Sequence, residues 1–383
     1  MPQLTEPGNM PPPPFTQDGR VLDDSTLRQT VRATVGGDRM RLRLSNAFGG
    51  APLPVTAVSV ALPLDGRAGT AATEPGTARP VTFHGRASTS VPVGAQAVSD
   101  RLPFEVRAGT NLTVTMYLAE GQASDAITSH PGSRTTSYLL AGNHVTDGEL
   151  PGATPTDHWY FLSGVEVEAP AGTDAVAVVG DSLTDGRGST TNMNNRWPDQ
   201  LFDRLRSRPA TAGTAVLNQA AGGNRVLNDG LGPNLLARLD RDVLAQSGVE
   251  RLIVFEGVND IGTAPATPAA QKDTADQLLA AYDQIVTRAH AQGIRVYGAT
   301  LTPFGGNELY DDADRLREAT RQRVNAWIRD SGTFDAVIDF DAATRDPAAP
   351  DRLLAAADSG DHLHLTPHGY RLLADAVPAR LLR

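Results

Sequence analysis

The sequence contains no cysteine, which excludes disulfide stapling and any thiolate-held metal, and leaves either redox compartment open. Lysine is nearly as scarce: Lys272 is the only one, and the positive charge is otherwise carried by arginine. With a formal net charge of −10 and no basic stripe along the chain, a nucleic-acid partner is not expected, since phosphates would be repelled. No apolar run approaches the ~20 residues that a membrane-spanning helix needs. Aromatic residues make up only 5%, which gives little sign of a sugar-stacking surface. There is no internal repeat and no long low-complexity segment; Pro11-Pro12-Pro13-Pro14 is a stiff, extended lead-in.

At 383 residues the chain exceeds the usual single-domain size, so two domains are expected. Residues 1–170 show the period-two alternation of half-buried strands, as in Met40-Arg41-Leu42-Arg43-Leu44 and Leu112-Thr113-Val114-Thr115-Met116-Tyr117-Leu118. Val55-Thr56-Ala57-Val58-Ser59-Val60, Val81-Thr82-Phe83 and Phe104-Glu105-Val106 repeat the theme between Gly/Pro turns. This predicts a β-sandwich of jelly-roll type. From 171 to 383 the pattern alternates strand and helix: Trp197, Leu201, Phe202 and Leu205 recur at helical spacing, as do Leu278, Tyr282, Ile285, Val286 and Ala289. Five βα repeats predict an α/β domain with a parallel sheet covered on both faces.

The chemistry gathers in that second half. Ala175-Val176-Ala177-Val178-Val179 runs directly into Gly180-Asp181-Ser182-Leu183, the pattern of a buried strand that ends at a serine. A serine hydroxyl needs a base to become a nucleophile. Asp361-His362-Leu363-His364 supplies both a base and an orienting acid on one loop, so Ser182, Asp361 and His364 form the candidate triad. An acyl-transfer site also needs donors for the developing oxyanion. Gly222-Gly223-Asn224 and Gly257-Val258-Asn259-Asp260 each follow a predicted strand; the N–H groups of Ser182 and Gly223 and the side-chain amide of Asn259 would make a three-donor hole.

Each of these residues also has a plainer reading. A serine after a strand is commonly a helix N-cap, and Asp181, Asp185 and Asp260 suit turns, caps and loop amides. His362 and His368 compete with His364 as base, and Asp341 and Asp358 with Asp361 as acid. The eight histidines are otherwise scattered, and no His-Glu-x-x-His frame is present. No Gly-Lys-Ser/Thr phosphate loop follows the serine strand, Gly-x-Gly-x-x-Gly is absent around Ser182, and no Gly-x-Ser-x-Gly elbow surrounds it. No cofactor and no metal are expected.

The four blocks around Ser182, Gly223, Asn259 and Asp361/His364 occur in the order of the SGNH/GDSL hydrolase superfamily, and their flanks, Gly180-Asp181-Ser182-Leu183-Thr184-Asp185-Gly186, Asn224-Arg225-Val226-Leu227 and Gly257-Val258-Asn259-Asp260, resemble those of a secreted, two-domain GDSL esterase/acylhydrolase. Thr26-Leu27-Arg28-Gln29-Thr30, Arg43-Leu44-Ser45-Asn46-Ala47-Phe48-Gly49 and Ser129-His130-Pro131-Gly132 extend the resemblance into the β-domain. It implies a flavodoxin-like three-layer fold for the catalytic domain. It also implies Ser182 as nucleophile and oxyanion donor, Gly223 and Asn259 as the other donors, His364 as base and Asp361 as its partner. Secretion is the expectation by family, although Met1-Pro2-Gln3 has neither a charged n-region nor an apolar h-region; a start inside a longer precursor would account for this, and the alternative is a cytoplasmic protein. The expected activity is hydrolysis of carboxylic esters through an acyl-enzyme, on short acyl chains of small esters or acylated carbohydrate. The rival readings are an acyltransferase using the same serine and a non-catalytic carbohydrate-binding protein. Thr302-Pro303-Phe304-Gly305-Gly306-Asn307 reads as a wall of the substrate entrance or a simple turn.

Overall fold

The computed structural model describes residues 1–383. The chain divides into two compact units, Met1–Ala171 with Thr191–Asn194, and Gly172–Thr190 with Asn195–Arg383.

The first unit is mostly antiparallel β-structure. Its longest strands, Arg20–Arg32 and Asn111–Gln122, pair in register from Val21↔Gln122 to Arg32↔Asn111 at the centre of a seven-stranded sheet, while Gly37–Ser45 lies at the centre of a four-stranded one. The inward residues of the alternating segments, Leu42, Leu44, Leu112, Val114 and Met116, are buried in one apolar cluster with Leu27, Val60 and Phe161. The run 55–60, read from sequence as a single strand, is divided. Leu53–Val55 pairs with Thr89–Val91, whereas Ala57–Ala61 pairs with Asn111–Gln122. Thr56 makes the change of sheet: its N–H donates to the Tyr117 carbonyl (2.9 Å), and its Oγ1 accepts the Ala119 N–H (2.9 Å). Period-two alternation shows that a segment is extended, and is silent on which sheet it joins.

The second unit is an α/β domain around a five-stranded parallel sheet. Its strands are β1 (Asp174–Gly180), β2 (Thr214–Asn218), β3 (Val249–Phe255), β4 (Arg295–Ala299) and β5 (Ala336–Ile338), in the spatial order β2-β1-β3-β4-β5. The helices are α1 (Ser182–Asp185), α2 (Trp197–Arg206), α3 (Leu235–Leu239), α4 (Val258–Thr263), α5 (Pro268–His290), α6 (Leu316–Asp330), α7 (Phe340–Thr344) and α8 (Pro367–Ala376). The chain steps from β1 outward to β2 and then back across to β3. Right-handed crossovers on the two sides of that reversal put their helices on opposite faces. Accordingly α2 packs with α8, and α3 and α6 pack with α5. Val176, Ala177, Val178 and Val179 are fully buried, as a strand covered on both faces requires. The order reverses between β1 and β3, where Gly180 lies opposite Phe255, and the crevice beyond the carboxyl ends of these two strands is where such sheets hold ligands.

Candidate active site

β1 ends at Gly180, and the chain turns at once into α1. A Cβ on residue 180 would lie 2.7 Å from the Phe255 carbonyl oxygen and 2.3 Å from Thr184 Oγ1, so only glycine allows this turn to sit so tightly on β3. Asp181 caps α1: its Oδ1 accepts the Leu183 N–H at 2.9 Å. Ser182 is thereby the first helical residue, not the cap, and its hydroxyl is released from capping. Trp197, the first residue of α2, donates from Nε1 to Thr184 Oγ1 (3.2 Å) and packs edge-on against Phe340 with ring centroids 5.3 Å apart, bracing the turn from inside the domain.

The candidate base and acid come from the loop before α8. Ser182 Oγ lies 2.8 Å from His364 Nε2, and His364 Nδ1 lies 2.5 Å from Asp361 Oδ2. The other carboxylate oxygen, Oδ1, accepts the backbone N–H groups of His364 (2.8 Å) and Leu363 (3.1 Å). A carboxylate beside Nδ1 holds the proton there, leaving Nε2 with a lone pair facing the serine hydroxyl. Partial burial pulls the Asp361 carboxyl upward, but the bonds from the His364 ring and the His364 and Leu363 N–H groups outweigh it and hold the group well below the usual carboxylate range.

The competing residues stand outside this relay. His362 Nδ1 pairs with Asp358 Oδ2 at 2.6 Å, Asp341 is fully buried and ion-paired with Arg321, Arg329 and Arg345, and His368 is exposed in the first turn of α8.

The three expected donors sit at the carboxyl ends of β1, β2 and β3. The Gln219 N–H bonds to the Val178 carbonyl (2.8 Å) and the Ala221 N–H to that of Gly180 (3.1 Å), which holds the Gly222–Gly223 turn beside the end of β1. Gly223 has φ +73°, in the left-handed region, and a Cβ there would meet Leu231 Cδ1 at 2.3 Å. The N–H groups of Ser182 and Gly223 donate to no acceptor within the protein. Asn259, in the first turn of α4, uses one Nδ2 hydrogen on the Asn224 carbonyl (2.8 Å) and accepts the Tyr310 hydroxyl on Oδ1 (2.7 Å); its second amide hydrogen has no acceptor within the protein. Asn224 is held in turn by Arg238 Nε on its Oδ1 (2.8 Å), and Arg238, fully buried, also reaches the Gln219 carbonyl (2.6 Å) and Glu256 (3.2 Å). Sequence reading missed Tyr310, Arg238 and the side-chain role of Asn224. Arg238 falls inside an amphipathic helix pattern and Tyr310 in an aperiodic loop, so neither carried a local signal.

Behind the donors lie carboxyl groups that burial pushes upward: Asp181 to about 7 and Glu256 to about 8, with neighbouring acids adding to the rise, and Asp260 to about 6, against the pull of the Val226 and Leu227 N–H groups and Arg225. Asp260 satisfies loop amides, accepting the Val226 and Leu227 N–H groups at 2.9 Å each. An acid whose pKa is raised on folding binds its proton more tightly folded than unfolded. Stability is therefore lost as pH rises from the ordinary carboxylate value through the raised one. The melting temperature should fall between about pH 5 and about pH 8, and Asp181→Asn, which keeps the cap oxygen and removes the ionisation, should make that fall shallower. Calorimetric scans across the range test this; an equal slope in the variant would mean that Asp181 does not contribute.

No curated protein matches the sequence. Among solved structures the chain is similar to a lipolytic-class protein of the G-D-S-L family from Desulfitobacterium hafniense DCB-2, with 21% identity, 55% of this chain and 100% of that one covered and a TM-score of 0.41. It is also similar to the acetyl xylan esterase AlAXEase, with 21% identity, 54% and 99% covered and a TM-score of 0.41. A third likeness is to Axe2, an acetylxylan esterase from Geobacillus stearothermophilus, with 22% identity, 55% and 94% covered and a TM-score of 0.40. The GDSL-like lipase/acylhydrolase family model matches residues 178–372, more than half of the 383 residues, from within β1 to within α8. With that match spanning every strand end from which the site is built, the chain belongs to the GDSL-like lipase/acylhydrolase family.

Proposed function

We propose that the protein hydrolyses short-chain carboxylic esters, including acyl groups carried on carbohydrate, through an acyl-enzyme on Ser182. The observation that carries this reading is the continuous relay from Ser182 Oγ to His364 Nε2 (2.8 Å) and from His364 Nδ1 to Asp361 (2.5 Å). His364 takes the hydroxyl proton as Ser182 Oγ bonds to the ester carbonyl carbon. The oxyanion that forms accepts from the N–H groups of Ser182 and Gly223 and from the free amide hydrogen of Asn259, each such donor contributing about 3 kcal/mol to the barrier reduction. His364 then returns the proton to the departing alcohol, and water repeats the cycle to release the acid and free Ser182.

The preference for short acyl groups rests on Leu231. Its side chain stands against Gly223, at the position a Cβ would need, while remaining 48% exposed, so it borders the oxyanion donor from the solvent side and restricts the space beside the bound carbonyl. Leu231→Ala should raise the ratio of kcat/KM for p-nitrophenyl octanoate over acetate by about tenfold, the lower end of what a change in an apolar pocket produces. An unchanged ratio would remove Leu231 as the cause of selectivity. The catalytic reading is tested by intact-protein mass spectrometry after a fluorophosphonate probe: a single adduct mapping to Ser182 is expected, and folded protein that takes up no probe would overturn it.

A further inference from the structure

Residues 300–315, between β4 and α6, form no helix or strand, yet they are tied to both arms of the site. Asn307 is the anchor. Its Nδ2 donates to the Asp361 carbonyl (2.7 Å), and its Oδ1 accepts the N–H groups of Leu309 (3.1 Å) and Tyr310 (2.9 Å). The Tyr310 ring then packs edge-on against buried Phe304, with centroids 6.2 Å apart, and lies so close over Gly262 of α4 that a Cβ there would fall 2.4 Å from the ring. From this position its hydroxyl donates to Asn259 Oδ1 at 2.7 Å.

The geometry points to Tyr310 as the positioning residue of the oxyanion hole, its hydroxyl fixing the Asn259 amide so that an N–H, and not the carbonyl oxygen, faces the reacting group. This rests on the reading of Asn259 as an oxyanion donor. An asparagine amide is nearly symmetric in shape, so turning it over would cost little steric energy and would present an acceptor to a developing anion. The Asn224 carbonyl opposes the turn, and the Tyr310 hydroxyl, a group able to donate or accept, holds the other end of the amide in the orientation that the carbonyl selects. The Asn224 carbonyl can only accept, and takes one Nδ2 hydrogen; the Tyr310 hydroxyl donates to Oδ1. Reversal would set two carbonyl oxygens against each other and leave a buried acceptor unpaired. Donation into Oδ1 also draws electron density from the amide nitrogen, which strengthens its remaining N–H as a donor while charge builds on the substrate. Burial, with Asp181 and Asp260 nearby, pushes the Tyr310 phenol up to about 12, so the group stays protonated and donating throughout the working range.

The test is a double-mutant cycle on p-nitrophenyl acetate with Tyr310→Phe, Asn259→Ala and the pair. Phenylalanine keeps the ring over Gly262 and against Phe304, so the fold is retained and only the hydroxyl is lost. Tyr310→Phe should lower kcat by about tenfold with KM within about twofold, Asn259→Ala should lower kcat by about 100-fold or more, and the pair should be no slower than Asn259→Ala alone, since Tyr310 acts only through that amide. Tyr310→Phe at the wild-type kcat, with Asn259→Ala impaired, overturns the role of Tyr310. A full further tenfold loss in the Asn259→Ala background overturns it as well, by showing that the hydroxyl acts elsewhere. Asn259→Ala at the wild-type rate overturns the oxyanion assignment itself, and Tyr310 falls with it.

Discussion

Ser182→Ala should lower ester turnover by roughly 10⁴- to 10⁶-fold, the scale on which removing a catalytic serine acts, while the melting temperature stays within about 2 °C of the wild type. The pairing of these two outcomes is informative because the plainer reading of the same residue predicts the reverse. A serine acting as a helix N-cap costs about 1 kcal/mol of stability when replaced by alanine and has no effect on chemistry. Here the cap is supplied by Asp181, whose Oδ1 takes the Leu183 N–H, and the Ser182 hydroxyl is directed at His364 Nε2. Removing it takes away the proposed nucleophile and leaves the cap, the turn at Gly180 and the Trp197–Thr184 bond in place. Turnover of p-nitrophenyl acetate beside thermal melting separates the two readings; a variant within tenfold of wild-type activity would exclude Ser182 as nucleophile.

The features legible in the sequence are those whose cause is local. β1 could be recognised because a strand buried on both faces must be apolar without interruption, and Ala175–Val179 is. The Ser182, Gly223 and Asn259 blocks could be found because each comes shortly after a strand of the sheet, so the position of a residue along the chain already gives its position at the sheet edge. Asp361 and His364 are three residues apart, and so fall on one loop whatever the rest of the fold does. The change of sheet at Thr56 and the Arg238 and Tyr310 contacts depend instead on groups far away in sequence. Arg238 joins the ends of β2 and β3 through Gln219 and Glu256, and Tyr310 reaches Asn259 across the whole of α5 and β4. Neither has a periodicity that marks it, since a hydrogen bond made by one side chain leaves no pattern in its neighbours.

Asp361→Asn should be nearly as damaging as loss of the serine, by about 10³- to 10⁴-fold in kcat, although the carboxylate is partly open to solvent with 41% of its side-chain surface exposed. The reason is the direction of the proton. Asp361 Oδ1 is occupied by the N–H groups of His364 and Leu363, so an asparagine must keep its carbonyl oxygen there and turn its NH₂ towards His364 Nδ1. An NH₂ can only donate. It would force Nδ1 to accept, move the imidazole proton to Nε2 and set an N–H against the Ser182 hydroxyl, which then has no base. The pH profile separates this loss of tautomer from a simple loss of charge. In the wild type Asp361, held below the usual carboxylate range, stays ionised while His364 gains its proton, so the acid limb of kcat/KM should follow a single titration, with activity falling as pH is lowered. Removing the negative charge disfavours the imidazolium and should shift that limb to lower pH, but the activity on the plateau should remain depressed because the proton is on the wrong nitrogen at every pH. Asp361→Ala, which leaves Nδ1 free to keep its proton on water, should therefore be the more active of the two variants on the plateau; the opposite order would show that the acid acts through its bulk or its hydrogen-bonded shape and not by selecting the tautomer.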